Sequence, residues 1–269
     1  LNLGTGIIPI QLRPPTLAAM SAASLQALNP EKEIFLGVGV SAPGILKQHG
    51  LNATDKPIRM MREYVALLRE CFTGDSVSFD GDYFSTKRFR LGLRLEDKVP
   101  KIIMAALNPQ MLKLGGEIAD GVLLNYLPVS HVKYSVKRVR EGGNAKIFAY
   151  VHASVSEFEK AKASARKDLF NYAMADGYAK MFKAAGFEDE ITELREKQKI
   201  KDREGALSAI SDRMIQAIDF IGTTAEVRDF IDSYAEAGVE HPILMPMPWG
   251  ENRERVALET MRAAFPSNI

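Results

Sequence analysis

The chain has 269 residues, 46% hydrophobic and 26% charged, with a formal net charge of +1 and a mean hydropathy of -0.11. That balance fits a folded protein with a sizeable core, and it gives no electrostatic ground for a nucleic-acid or acidic-membrane partner. The single Cys71 excludes an internal disulfide framework and a cysteine-rich metal site, agrees with the cytoplasm, and is expected to be a buried thiol. No run approaches the roughly 20 apolar residues of a membrane span, and no leader is expected before the first strand.

In chain order, Leu1 to Ile8 reads as a buried strand, and Pro9, Pro14 and Pro15 bracket a loop. Thr16 to Leu28 reads as a helix whose Ala18, Ala19, Ala22 and Ala23 allow close packing on a sheet, with Asn29-Pro30 ending it. Ile34 to Val40 is a second buried strand, in which Gly37 and Gly39 suggest close approach of backbone or ligand. Ser41 to Pro57 reads as a loop containing His49, and Ile58 to Phe72 as an amphipathic helix. Val77 to Phe84 alternates about Asp80-Gly81, so a small hairpin is expected there as an excursion.

Ile102 to Ala106 is an apolar run of strand length. Asn108 suits an N-cap and Pro109 the first helical turn, where its missing N–H costs nothing. Met111, Leu112, Leu114 and Ile118 recur at helical spacing before Asp120-Gly121 turns the chain into Val122-Leu123-Leu124. This is a compact βαβ unit with parallel strands, and ligands gather at the carboxyl ends of such strands, here Leu107-Asn108 and Asn125-Tyr126.

Val129 to Arg140 reads as a helix stopped by Gly142-Gly143, and Ala145 to Val155 as the next strand. Ser156 to Ser211 is long, polar and mostly helical; Asp212 to Ile221 is apolar helix, and Gly222-Thr223-Thr224 caps a helix over 225–237. His241 to Pro246 is the last strand and Glu251 to Phe265 the terminal helix. Strands near positions 3, 36, 103, 123, 150 and 244, each followed by a helix, argue for a parallel sheet, doubly wound or closed. The expected fold is α/β, a TIM (β/α)8-type barrel lacking its first two β/α units. One domain over 1–269 is expected, with excursions at 74–95 and 156–211.

Of the four histidines, His49 is a candidate proton donor or polar lid residue, His152 and His241 read as structural, and His131 as surface. Their spacing matches no metal site, so no metal is expected. No phosphate loop or nucleophile elbow is present in the sequence, which leaves nucleotide and triad hydrolysis unsupported.

The stretches LGTGIIPIQLRPPTLAA, FLGVGVS with KPIRMMREYVALLRECFTG, AALNPQMLKLGGEIADGVLLN and IGTTAEVRDFIDSYAEAGVEHPILMP carry a family likeness. In order and spacing the chain resembles the bacterial-luciferase-like flavin monooxygenases, and within them the branch using the 5-deazaflavin coenzyme F420. The resemblance implies a (β/α)8 barrel entered at what would be its third strand. An acidic or His residue that touches the cofactor ring from the second strand of relatives then has no counterpart. Either the sequence is a fragment or the sheet closes another way, through a second copy in a homodimer.

By the same resemblance, cofactor contacts fall on seven positions. Gly6-Ile7 matches a non-prolyl cis peptide that props the ring, and Ser41 a contact after the next strand. Leu107 and Asn108 match a pair that is often Gly-Gly at a helix start, Asn125 a polar position, and Tyr126 a residue able to stack on the ring. The implied function is hydride transfer between coenzyme F420 and a small organic substrate. FMN with luciferase-like monooxygenase chemistry is the alternative, and a non-catalytic member binding no cofactor the second. Nothing in the sequence names the substrate.

Overall fold

Apolar strand-length runs separated by amphipathic helices dictate parallel pairing, and a computed structural model, describing residues 2–95, 98–250 and 252–265, has that arrangement. The chain divides into two compact units, Leu1–Leu123 with Arg138–Lys146 and Leu124–Lys137 with Ile147–Ile269.

The first unit runs β1 (Leu3–Gly4), β2 (Ile8–Pro9), α1 (Pro15–Leu28), β3 (Ile34–Gly39), α2 (Pro43–Gln48), α3 (Pro57–Phe72), β4 (Val77–Asp80), β5 (Ser85–Phe89), β6 (Lys101–Ala105), α4 (Pro109–Ile118) and β7 (Gly121–Leu124). β1 and β2 both pair in parallel with β3, β3 with β6, and β6 with β7. The expected βαβ unit is therefore present as β6–α4–β7. The alanines of α1 and the apolar face of α3, including Met61, Tyr64 and Leu68, are buried. Cys71 is buried too, which pushes its thiol up to about 11.

Three expectations need correction here. The stretch read as one buried strand is two short ones, and Leu3 is 42% exposed. Between them the Thr5 hydroxyl takes over the ladder, donating to the Gly37 carbonyl at 3.0 Å and accepting from the Gly37 N–H at 2.9 Å, so the main chain leaves the sheet until Ile8. The loop after β3 contains α2, because Pro43 presets the first helical turn and Leu46 is buried beneath it. The hairpin exists as antiparallel β4–β5, but its second strand begins at Ser85, the Gly81 N–H closing the turn on the Phe84 carbonyl at 3.0 Å.

In the second unit α5 (Val129–Arg140) leads to β8 (Lys146–Val155). The polar excursion follows as α6 (Phe158–Ala173), α7 (Asp176–Ala184), α8 (Glu188–Lys199) and α9 (Arg203–Ser208). After it come α10 (Asp212–Ile218), β9 (Asp219–Gly222), α11 (Thr224–Glu236), β10 (His241–Pro246) and α12 (Arg253–Ala263). β8 pairs in parallel with β10 over Phe148–Ala153 and with β9 over His152–Val155.

β9 replaces the end of the helix expected to run to Ile221. The Gln216 side chain brackets Ile221, donating to its carbonyl at 3.1 Å and accepting from its N–H at 2.9 Å, which ends α10 and holds the chain extended. α11 then starts from a capping box formed by Thr223 and Glu226, as the sequence around Gly222 suggests. His131 is buried against Tyr134, ring centroids 4.8 Å apart, rather than on the surface, because it opens α5 on its apolar side. His241 stacks on Phe148 at 4.4 Å, the structural role expected of it. Glu251, expected to open the terminal helix, lies outside the described residues. Among the described residues no helix is long and apolar enough to cross a membrane.

Candidate functional site

In the first unit the expected site residues Gly6 and Ile7 lie between β1 and β2, Ser41 follows β3, and Leu107 and Asn108 follow β6. The Gly6–Ile7 peptide is cis. The segment that carries it lies directly on β3: a Cβ at Gly37 would sit 2.0 Å from the Thr5 carbonyl oxygen, and one at Gly39 would sit 2.3 Å from Ile7 Cδ1. At Gly37 the obstacle is main chain and only glycine fits, whereas at Gly39 the tip of the Ile7 side chain would have to shift, so the close approach read from Gly37 and Gly39 is that of the chain's own 5–7 segment.

Past β3, the Ser41 N–H donates to Gln11 Oε1 at 3.2 Å, and Gln11 Nε2 is a buried donor with no partner. Leu107 and Asn108 are half-buried after β6. Asn108 is the N-cap of α4 with its backbone extended, its carbonyl accepting from the Leu112 N–H at 2.9 Å. α4 packs closely at its far end, where Gly115 leaves room for Val122. His49 is exposed at the C-terminal end of α2.

In the second unit Asn125 and Tyr126 follow β7 and enter a polar, aromatic cluster. Tyr126 has a left-handed backbone, φ 50°, and is 5% exposed. Its hydroxyl donates to Asp168 on α6 at 2.6 Å, and its ring packs against those of His152 and Tyr172, each at 3.8 Å. Those neighbours pack against the ring within the protein. Asn125 Nδ2 donates to the Tyr178 hydroxyl on α7 at 2.9 Å, leaving Asn125 Oδ1 a buried acceptor without a partner.

Behind this layer lies a pair that the parallel register of β8 and β9 creates. His152 and Asp219 are register partners, so their side chains share one face of the strands. His152 Nδ1 lies 3.4 Å from Asp219 Oδ1, with the two side chains 3% and 0% exposed. Burial pushes the Asp219 carboxyl well above the usual carboxylate range, and the charge of Asp168 adds to it. Burial likewise holds His152 down at about 4, against an opposing pull from Asp168. Tyr126 is raised chiefly by burial, with its hydrogen bond to Asp168 adding to it. Burial thus disfavours the charged form of each of these three groups.

Sequence reading missed Thr5, Gln11, Asp168, Tyr172, Tyr178 and Asp219. A carboxylate inside the apolar run AIDFIG was a readable signal for Asp219; the tyrosines of the polar excursion gave none. Among the described residues no group of three or more His, Cys, Asp or Glu side chains is placed to hold a metal ion.

Comparison with known proteins follows the same lines. The chain is 26% identical over 271 residues to the 5,10-methylenetetrahydromethanopterin reductase of Archaeoglobus fulgidus, covering 95% of this chain and 79% of that protein. It is 25% identical to the reductase of the same name from Methanolobus tindarius, covering 95% and 80%. Its fold matches that of the coenzyme F420-dependent tetrahydromethanopterin reductase of Methanopyrus kandleri with a TM-score of 0.72, at 21% identity and covering 97% of this chain and 81% of that one. Residues 1–241 match the family model for luciferase-like monooxygenases, and the chain belongs to that family.

Proposed function

We propose that this chain is a coenzyme F420-dependent oxidoreductase that moves a hydride to or from a small organic substrate. What carries the reading is the likeness, over 95% of the chain, to two proteins named as methylenetetrahydromethanopterin reductases. The residues present suit a ring with polar edges and a phosphate. Gln11 Nε2, beside Ser41, is an orphaned buried donor, and Asn125 Oδ1 is an orphaned buried acceptor able to take a ring N–H. The start of α4 at Asn108 has the helix dipole and first-turn N–H groups that suit an anion. When bound, the deazaflavin supplies the carbon that gives or takes the hydride. The residues proposed to bind and orient the cofactor are Gly6, Ile7, Ser41, Leu107 and Asn108 in the first unit and Asn125 and Tyr126 in the second.

The reading extends to one domain working in the cytoplasm as a homodimer. The buried lone Cys71 supports a reducing compartment. Exposed Leu17, Met20 and Leu28 along α1 support a partner surface, which sedimentation at two concentrations tests. The family description supports FMN-dependent monooxygenase chemistry as the second reading. Titrating the purified apo-protein separately with coenzyme F420 and with FMN, by absorbance and fluorescence, decides between them. Binding of F420 is the expected result. Binding of FMN alone selects the second reading, and binding of neither overturns both in favour of a non-catalytic member.

A further inference from the structure

Asn125 Oδ1, His152 Nδ1 and both carboxyl oxygens of Asp219 are buried without a hydrogen-bond partner, although native interiors pair nearly all such groups. They are not scattered. His152 and Asp219 are register partners on β8 and β9, 3.4 Å apart, and the His152 ring lies 3.8 Å from that of Tyr126. Facing the pair are Asp168 and Tyr172 from α6, Tyr126 after β7, Tyr150 on β8 itself and Tyr234 from α11. Burial disfavours the charged form of each of these tyrosines, and Asp168 already accepts the Tyr126 hydroxyl at 2.6 Å.

An ionised Asp219 would be a second anion beside Asp168 with no donor to either oxygen, the arrangement that costs most in an interior. An imidazolium–carboxylate pair would bury two charges in place of none. A protonated Asp219 needs one acceptor, and His152 Nδ1 is the acceptor within reach.

We infer that Asp219 carries a proton directed at His152 Nδ1, and that this neutral acid–imidazole pair is the fixed platform holding the Tyr126 ring and, through it, the Asn125 amide. His152 is then the Nε2–H tautomer. The left-handed backbone of Tyr126 is held from two sides, by the His152 ring behind it and by Asp168 on its hydroxyl. Asp219, His152 and Asp168 become positioning residues. Their consequence for cofactor binding rests on the function proposed above; the protonation of the pair does not.

The direction of both shifts supports this, burial raising Asp219 and lowering His152. It also separates the pair from an ordinary buried ion pair, in which each partner would favour the charged form of the other.

The test uses the apo-protein first. Infrared spectra at neutral pH are expected to contain the carbonyl stretch of a protonated, apolar-environment carboxyl that Asp219→Asn removes. Nitrogen-15 spectra of the His152 ring are expected to show the Nε2–H tautomer. The Tyr126 hydroxyl proton, bonded to Asp168, should be protected from exchange in wild type and in Asp219→Asn, whose amide still donates to Nδ1, and lose protection in Asp219→Leu. Absence of an Asp219-dependent carboxyl band, or an imidazolium signal at neutral pH, overturns the inference. So does equal Tyr126 protection in Asp219→Asn and Asp219→Leu.

Titration with coenzyme F420 is then expected to be unchanged in Asp219→Asn and weakened about tenfold in Asp168→Ala, the loss of one charge-assisted hydrogen bond. A wild-type protein that binds neither F420 nor FMN would sink the functional reading while the apo spectra still decide the pair.

Discussion

Replacing Gly37 by alanine tests how the segment carrying the Gly6–Ile7 bond is held against the sheet. The added Cβ would lie 2.0 Å from the Thr5 carbonyl oxygen and 3.1 Å from Ile7 Cγ2. The first contact is with main chain, so no side-chain rotation relieves it. Thr5 must move, and its attachments are the two hydroxyl bonds to Gly37 and the bond from its N–H to the Phe35 carbonyl at 3.0 Å. Overpacking costs about 1–3 kcal/mol, and each of the three weakened hydrogen bonds adds about 1 kcal/mol, so a loss of about 4–6 kcal/mol is expected.

Gly44→Ala is the internal control, because a Cβ there meets nothing within 4 Å and the position is in α2. It should be neutral or stabilising by up to about 1 kcal/mol. Urea unfolding followed by far-UV circular dichroism reads both. With a urea slope of about 3 kcal/mol/M, the Gly37→Ala midpoint falls by about 1 M or more. A midpoint equal to wild type, or an equal fall in Gly44→Ala, would refute the account of β3 as a surface shaped for the 5–7 segment.

Other consequences are simpler. Thr223→Ala removes the capping box that starts α11 and should cost about 1 kcal/mol in the same unfolding assay, with Thr223→Ser restoring most of it. Cys71, buried with its thiol pushed up to about 11, should resist a disulfide reagent in native protein at mildly alkaline pH and react fully in urea; rapid native labelling would contradict its place in the core. Glu190 is raised by burial, but hydrogen bonds from Ser211 at 2.7 Å and Arg213 at 2.6 Å outweigh this and leave it below its usual value. A folded-state value below the unfolded one gives stability that is present above the unfolded value and lost as pH falls through the folded one. Glu190→Gln should therefore destabilise by about 1 kcal/mol near neutrality, with the gap closing in acid. A gap independent of pH would assign the contribution to packing.

By itself the sequence determined the class of fold and most of its elements, because burial on both faces makes a parallel strand a short apolar run, and helices carry their period and caps locally. β3, β6, α4, β7 and β8 were legible in this way, as was the capped start of α11. It also placed Asn125 and Tyr126 at a strand's carboxyl end and marked Gly37 and Gly39 as points of close approach. Only tertiary structure decided what approaches them. The break between β1 and β2 follows from Thr5 meeting Gly37, 32 positions away. β9 exists because Gln216 holds Ile221 and β8 offers an edge, neither of which leaves a periodic trace in four residues. The pairing of His152 with Asp219, and the turning of Tyr126 inward onto His152 and Tyr172, are matters of strand register and helix placement. A residue's own chemistry says what it can do; its neighbours across the sheet settle whether a carboxyl is an anion or an acid, and whether a ring faces a ligand or the core.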